Sequence, residues 1–185
     1  MSFHVFLDRD GVINADSPDY IKSPEEFHFI PGSPEAVALL TDHGFEVILI
    51  TNQSLIGRGM APVATLEAIF AKMKAGIAEA GGAIKDIFYC PHHPDAGCDC
   101  RKPLPGLILQ ACAAHGIDPS RSIMVGDSVK DIDCGRNAGC GATALVATGN
   151  GKKSLKILED RGQPPEILGA DLMAVARTIV QTYSA

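Results

Sequence analysis

Five short apolar runs recur along the chain, separated by segments whose apolar positions repeat with helical spacing. The runs are FHVFL (3–7), FEVILIT (45–51), DIFYC (86–90), SIMVG (122–126) and ATALVAT (142–148). Near-continuous apolar character over strand length marks strands covered on both faces, since a face open to water would impose alternation. Helices are predicted over 33–43, 62–80, 105–115, 129–138 and 171–182. The first is expected to be N-capped by Ser33, with Pro34 at the first helical position and Glu35 in the first turn. Gly44, Gly81, Gly116 and Gly139 supply C-terminal stops. Strand then helix, repeated, means parallel strands joined by right-handed crossovers. The expected fold is therefore α/β, a Rossmann-like doubly wound parallel sheet forming a single domain over 1–185. The least patterned segments, 14–31, 53–61 and 90–104, each follow a strand end, where ligands sit in such sheets.

Composition narrows the class of partner. A chain of 185 residues, 46% hydrophobic, can bury a core without disulfide staples. Aromatic residues make up only 5% with no Trp, a balance that suits helices packed closely on a sheet better than a β-sandwich. The net charge of −6 argues against nucleic acid, whose binding rests on Lys and Arg neutralising phosphates. No window approaches the roughly 18 apolar residues of a membrane span. The N-terminal MSFHVFLDRDG lacks a basic region followed by a signal-length apolar core. A cytoplasmic monomer acting on a small molecule is expected, with no nucleic-acid or membrane partner.

Polar residues then stand out at the strand ends. Asp8 and Asp10 follow the first run, Thr51 and Asn52 the second, and Asp127 the fourth, with Asp131 one helical turn further on. In a doubly wound sheet these positions converge on one crevice. Several carboxylates around one point repel each other and would partly protonate unless a cation were present. A hard divalent ion that prefers oxygen ligands and bridges to phosphate describes Mg²⁺. Lys102, beside Arg101 and just ahead of a helix, offers the fixed positive charge that a phosphoryl group needs.

Together DRDG, TN, the Lys before a helix and GDSVKD resemble the four-part signature of the haloacid dehalogenase-type (HAD) phosphatases, over roughly Phe3 to Thr148. The resemblance implies that Asp8 is the nucleophile and Asp10 the general acid and base. It also implies that Asp8, the main-chain carbonyl of Asp10, and Asp127 hold Mg²⁺. Thr51, Asn52 and Lys102 would stabilise the phosphoryl oxygens, and Asp131 would orient Lys102 or a metal-bound water.

A second constellation lies in CPHHPDAGCDCRKP. Cys90, Cys98 and Cys100 with one histidine make a Cys-x-His…Cys-x-Cys set on a short loop (90–100), which suits a closed structural Zn²⁺ site. Spacing alone leaves His92 and His93 open. Cys112, Cys134 and Cys140 lack partnering spacing and are expected in the core. A zinc loop joined to DRDGVIN, TNQS and CDCRKP is similar to the subfamily of heptose-bisphosphate and histidinol-phosphate phosphatases, whose spacing selects His92. That likeness implies hydrolysis of a sugar bisphosphate, with histidinol phosphate as the alternative substrate. It places substrate against Asn14, Asp16, Tyr20, Asn52, Gln53, Ser54, Arg101 and Ser128. The chain departs from the subfamily at Leu55, where Gly is usual, and at Ser128, where Lys is frequent. A sugar-phosphate-binding protein without catalysis is the reading from another class, and retention of both Asp8 and Asp10 speaks against it. Finally, the stretches between signature elements are consumed by the strands and helices named above, whereas a lid domain needs ~50 residues or more. The site is expected to be uncapped, with Arg58 and Arg101 as candidates for a second anionic group.

Overall fold

The computed structural model describes residues 3–184. Six strands, β1 (His4–Leu7), β2 (Glu46–Asn52), β3 (Asp86–Cys90), β4 (Ser122–Gly126), β5 (Ala142–Val146) and β6 (Ile167–Gly169), form one sheet in the order β3-β2-β1-β4-β5-β6. All paired neighbours run parallel. The helices are α1 (Ser33–Asp42), α2 (Val63–Glu79), α3 (Gly106–His115), α4 (Val129–Ala138), α5 (Gly151–Asp160) and α6 (Leu172–Tyr183).

Alternate strand residues feed two cores. Val5, Leu7, Val47, Leu49, Ile123 and Val125 pack with α1, α2 and α6, whereas Phe6, Ile48, Ile50 and Met124 pack with α3 and α4. Both faces are covered, which is why the strands read as unbroken apolar runs. Each such fully buried aliphatic or aromatic side chain contributes about 1.5–3 kcal/mol.

Three details differ from the sequence reading. Ser33 is the first residue of α1, and Gly32, at φ 83°, occupies the cap position. Ser33 Oγ instead donates to the Ile13 carbonyl at 2.6 Å, tying the helix to the loop after β1. Thr51 and Asn52 are the last two residues of β2 rather than residues that follow it. The sheet also has a sixth strand: β6 is three residues long, too short for a periodic signal, and it is recognisable only by its pairing with β5. The basic stretch GNGKK (149–153) leads from the turn after β5 into α5.

The strand order places the switch point between β1 and β4, whose following segments diverge and open a crevice at the carboxyl edge. Leu7 is in register with Val125, and the Asp8 N–H donates to the Val125 carbonyl at 3.0 Å, so Asp8 and Asp127 leave the sheet side by side. Over this edge, 8–32 and 91–105 each contain a single 3₁₀ turn, Pro24–Glu26 and Pro94–Ala96, and 53–62 contain no helix or strand. Among the described residues no folded unit caps the crevice. No helix among them is long and apolar enough to cross a membrane.

Candidate active site

Lys102 is the hub of the crevice floor. Its ammonium, 2% exposed, pairs with Asp8 Oδ1 at 2.8 Å and Asp131 Oδ1 at 2.6 Å and donates to the Ile50 carbonyl at 2.9 Å. Burial works against this charge, but Asp131 and Asp8 outweigh it and hold the ammonium above its usual range. The backbone of Lys102 is fastened as well. Asn52 Oδ1 accepts its N–H at 3.1 Å and Asn52 Nδ2 donates to its carbonyl at 3.2 Å.

Asp131 is fully committed, since its other oxygen accepts the Ser128 N–H at 3.0 Å and the Ser128 hydroxyl at 2.7 Å as α4 begins. That cap frees Asp127, one residue before. Asp127 Oδ2 accepts from Asn150 N at 2.7 Å and Asn150 Nδ2 at 3.2 Å. Asn150, from the turn before α5, was missed in the sequence because its contact spans 23 positions. Gly11, at φ 80°, permits the approach of the first loop, for a Cβ there would overlap the Asp127 carboxylate.

Carboxylate oxygens of Asp8, Asp127 and Asp131 lie within 4.8 Å of one another. With protein charges alone, burial pushes the Asp8 carboxyl up to about 7; Asp131, Asp127 and Asp10 add to this and Lys102 opposes it. Burial and Asp131 likewise push Asp127 up to about 6, against the Asn150 hydrogen bonds. Such crowding of hard oxygen donors fits a small divalent cation held by Asp8 and Asp127, with Asp131 kept out by its bonds to Lys102 and Ser128.

Asp10 is held from three directions. Its Oδ1 accepts from Arg9 Nε at 3.1 Å, from Arg9 Nη2 and from Asn14 Nδ2 at 2.9 Å, while Oδ2 accepts from Gln53 Nε2 at 3.0 Å. Gln53 also donates to Thr51 Oγ1 at 2.9 Å. One expected substrate contact is therefore corrected: fully buried Asn14 lies beneath the crevice and supports Asp10, whereas Gln53 lines the crevice wall with its amide nitrogen on Asp10. Thr51 is also fully buried and meets the site through Gln53.

The remaining expected residues line one crevice. A crevice of about 490 Å³ is lined by Asp8, Asp10, Asp16, Tyr20, Asn52, Ser54, Arg101, Lys102, Asp127 and Ser128, and also by Asn150, Lys130 and Lys153. The Ser128 hydroxyl is spent on Asp131. Tyr20 adopts φ 64°, and the Arg58 guanidinium lies 5.8 Å from its ring centroid, so Arg58 supports the rim from outside. Leu55, 1% exposed, points into the core under α1 and α2 and does not narrow the crevice.

The cysteine loop closes on a point. Cys90 Sγ lies 3.6 Å from Cys98 Sγ and 3.5 Å from His92 Nδ1, which lies 3.3 Å from Cys100 Sγ. Ligands about 2.0–2.3 Å from the centre of a tetrahedron stand roughly 3.3–3.8 Å apart, so these separations fit a four-coordinate metal with soft ligands. His93 is excluded by direction: its Nδ1 accepts the Asp95 N–H at 3.3 Å and caps the turn that follows, away from the sulfurs. With protein charges alone, burial and the neighbouring sulfurs push Cys100 up to about 12. Cys134 and Cys112 lie in the core beside α3 and α4, with Cys140 packed against it.

A HAD-hydrolase-like family profile matches residues 99–173. The chain is 45% identical over 179 residues to the D-glycero-beta-D-manno-heptose-1,7-bisphosphate 7-phosphatase of Bordetella bronchiseptica, covering 96% of this chain and 97% of that protein. It is 46% identical to the protein of the same name from Pseudomonas aeruginosa, with 96% and 97% covered. A crystal structure of the D,D-heptose 1,7-bisphosphate phosphatase from B. bronchiseptica complexed with magnesium and phosphate superposes with a TM-score of 0.90 at 45% identity, covering 98% of this chain and 99% of that one.

Proposed function

The chain belongs to the family of HAD-like phosphatases that includes the D-glycero-β-D-manno-heptose-1,7-bisphosphate 7-phosphatases, and from that membership we propose that it hydrolyses heptose 1,7-bisphosphate to the 1-phosphate and inorganic phosphate. The observation that carries this reading is the meeting of Asp8, Asp127 and Lys102 at the switch point, in a chain that matches such phosphatases over nearly its whole length.

Asp8 attacks phosphorus in line. As the new oxygen–phosphorus bond forms, the bond to the sugar oxygen breaks and Asp10 gives that oxygen a proton. Asp10 then takes a proton from the water that attacks the aspartyl-phosphate, which returns Asp8 and releases phosphate. Lys102, held at hydrogen-bond distance from Asp8, neutralises the phosphoryl oxygens, Asn52 holds its backbone in place and has a second amide N–H to offer them, and Thr51 supports the wall behind Gln53. Asp8, the Asp10 carbonyl and Asp127 would hold Mg²⁺, which supplies further charge neutralisation on the transferring group when bound. Asp131 orients Lys102. Asp16, Tyr20, Ser54, Arg101 and Ser128 form the rim that meets the sugar and its second phosphate.

Cys90, His92, Cys98 and Cys100 would hold Zn²⁺ in a structural role, since protein ligands fill all four positions. The cluster and the Asn52 clamp fasten both sides of the Lys102 segment before substrate arrives. A cytoplasmic setting suits these thiolates, which need a reducing compartment.

Steady-state kinetics on both anomers of heptose 1,7-bisphosphate, fructose 1,6-bisphosphate and histidinol phosphate test the reading. The highest kcat/KM is expected for a heptose bisphosphate. A preference for histidinol phosphate would replace the substrate, and phosphate release unchanged in Asp8→Asn would remove the mechanism.

A further inference from the structure

Arg9 stands between the two reacting aspartates in sequence, is 1% exposed, and folds its side chain back onto its own neighbour. Both Nε and Nη2 of Arg9 reach Asp10 Oδ1, which Asn14 Nδ2 also reaches. Oδ2 receives one donor only, Gln53 Nε2, and that nitrogen has a second acceptor in Thr51 Oγ1. The two oxygens of Asp10 are thus chemically distinct. A carboxylate oxygen has two lone-pair sites, so one that already accepts three N–H groups has none to spare for a proton. Turning the Gln53 amide wholly toward Thr51 would free Oδ2.

We propose that Arg9 is a positioning residue which, with Asn14, pins Asp10 through Oδ1 and confines the transferable proton to Oδ2. This rests on the reading above in which Asp10 protonates the departing sugar oxygen. In that step the Oδ2 proton moves to the bridging oxygen, which keeps the electron pair of the broken phosphorus–oxygen bond, while Asp8 oxygen bonds to phosphorus. Without Arg9 the carboxyl group turns among several orientations and presents its proton less often.

The test compares two esters in one sample. A sugar bisphosphate leaves as an alkoxide that needs the proton, whereas 4-nitrophenyl phosphate leaves as a stable phenolate that does not. Because kcat/KM reports steps through departure of the alcohol, the later water step common to both esters does not enter. Arg9→Met is expected to lose about 10²-fold in kcat/KM on the sugar ester and less than about tenfold on the aryl ester. Their ratio is independent of the fraction of folded protein. Arg9→Lys, made alongside in case the methionine variant does not fold, keeps the buried charge without the fork and is expected to show a smaller split in the same direction. Equal losses on both esters in a folded variant overturn the proposal while leaving the parent mechanism intact. A wild type that hydrolyses neither ester would overturn the parent mechanism, and this inference with it.

Discussion

The ammonium of Lys102 lies 2.8 Å from Asp8 Oδ1, joining residues 94 positions apart in sequence through a side chain that is itself buried. One end of this contact is set by β1 and the other by the segment between the cysteine cluster and α3. The distance is therefore a joint property of a strand end and the cysteine loop.

Removing the nucleophile separates chemistry from folding. Asp8→Asn is expected to lower kcat by at least about 10³-fold. The same change relieves carboxylate crowding on the crevice floor, so the melting temperature without metal is expected to hold or rise. Phosphate release and thermal melts measured on one preparation check both halves, and a large fall in melting temperature would contradict the crowding.

The raised values at Asp8 (about 7) and Asp127 (about 6) give a pH dependence of defined sign. A value raised on folding means that the native chain binds those protons more tightly than the unfolded chain. The resulting stabilisation is complete below about pH 4 and is lost as pH rises through about 6 to 7. Chelator-treated protein is expected to melt at falling temperature over that window, with added Mg²⁺ restoring most at its upper end. A melting temperature that rises with pH there, without metal, would refute the assignment.

Asn150 places two donors on one oxygen of Asp127 and so presents the other to the cation. The backbone donor survives Asn150→Ala and the side-chain donor does not. The Mg²⁺ concentration for half-maximal activity is expected to rise about tenfold, with kcat at saturating Mg²⁺ little changed. Titration of activity against Mg²⁺ reads this directly.

Loss of the cysteine-bound metal should loosen Lys102. One zinc per chain is expected by elemental analysis of wild type. Cys98→Ser is expected to lower metal content, melting temperature and activity together, since the four ligands converge on one point. A metal-free variant that kept both stability and activity would assign the loop another purpose.

Much was legible along the chain because periodicity and strand-end chemistry are local. Unbroken apolar runs announced strands covered on both faces, and the convergence of Asp8, Lys102 and Asp127 at one sheet edge could be expected from residue type and placement relative to those strands and helices, whereas Thr51 lies buried behind Gln53. The cysteine spacing likewise announced that Cys90, Cys98 and Cys100 come together with one histidine. What stayed hidden were contacts whose partners are remote or whose sign depends on orientation. Asn14 and Gln53 look like polar rim residues in sequence, yet their side chains turn inward to Asp10. His92 and His93 differ by one position, and only the fold aims His92 Nδ1 at Cys90 and Cys100 while His93 Nδ1 caps the turn at Pro94–Ala96. Leu55 is directed into the core by packing beneath α1 and α2. The sequence by itself determined the alternation of elements and the chemical types available at their ends, because backbone propensity and burial act over a few residues. Tertiary structure alone decided which donor serves which oxygen, because hydrogen bonds depend on distances of a few ångströms between segments that meet only after the sheet has assembled.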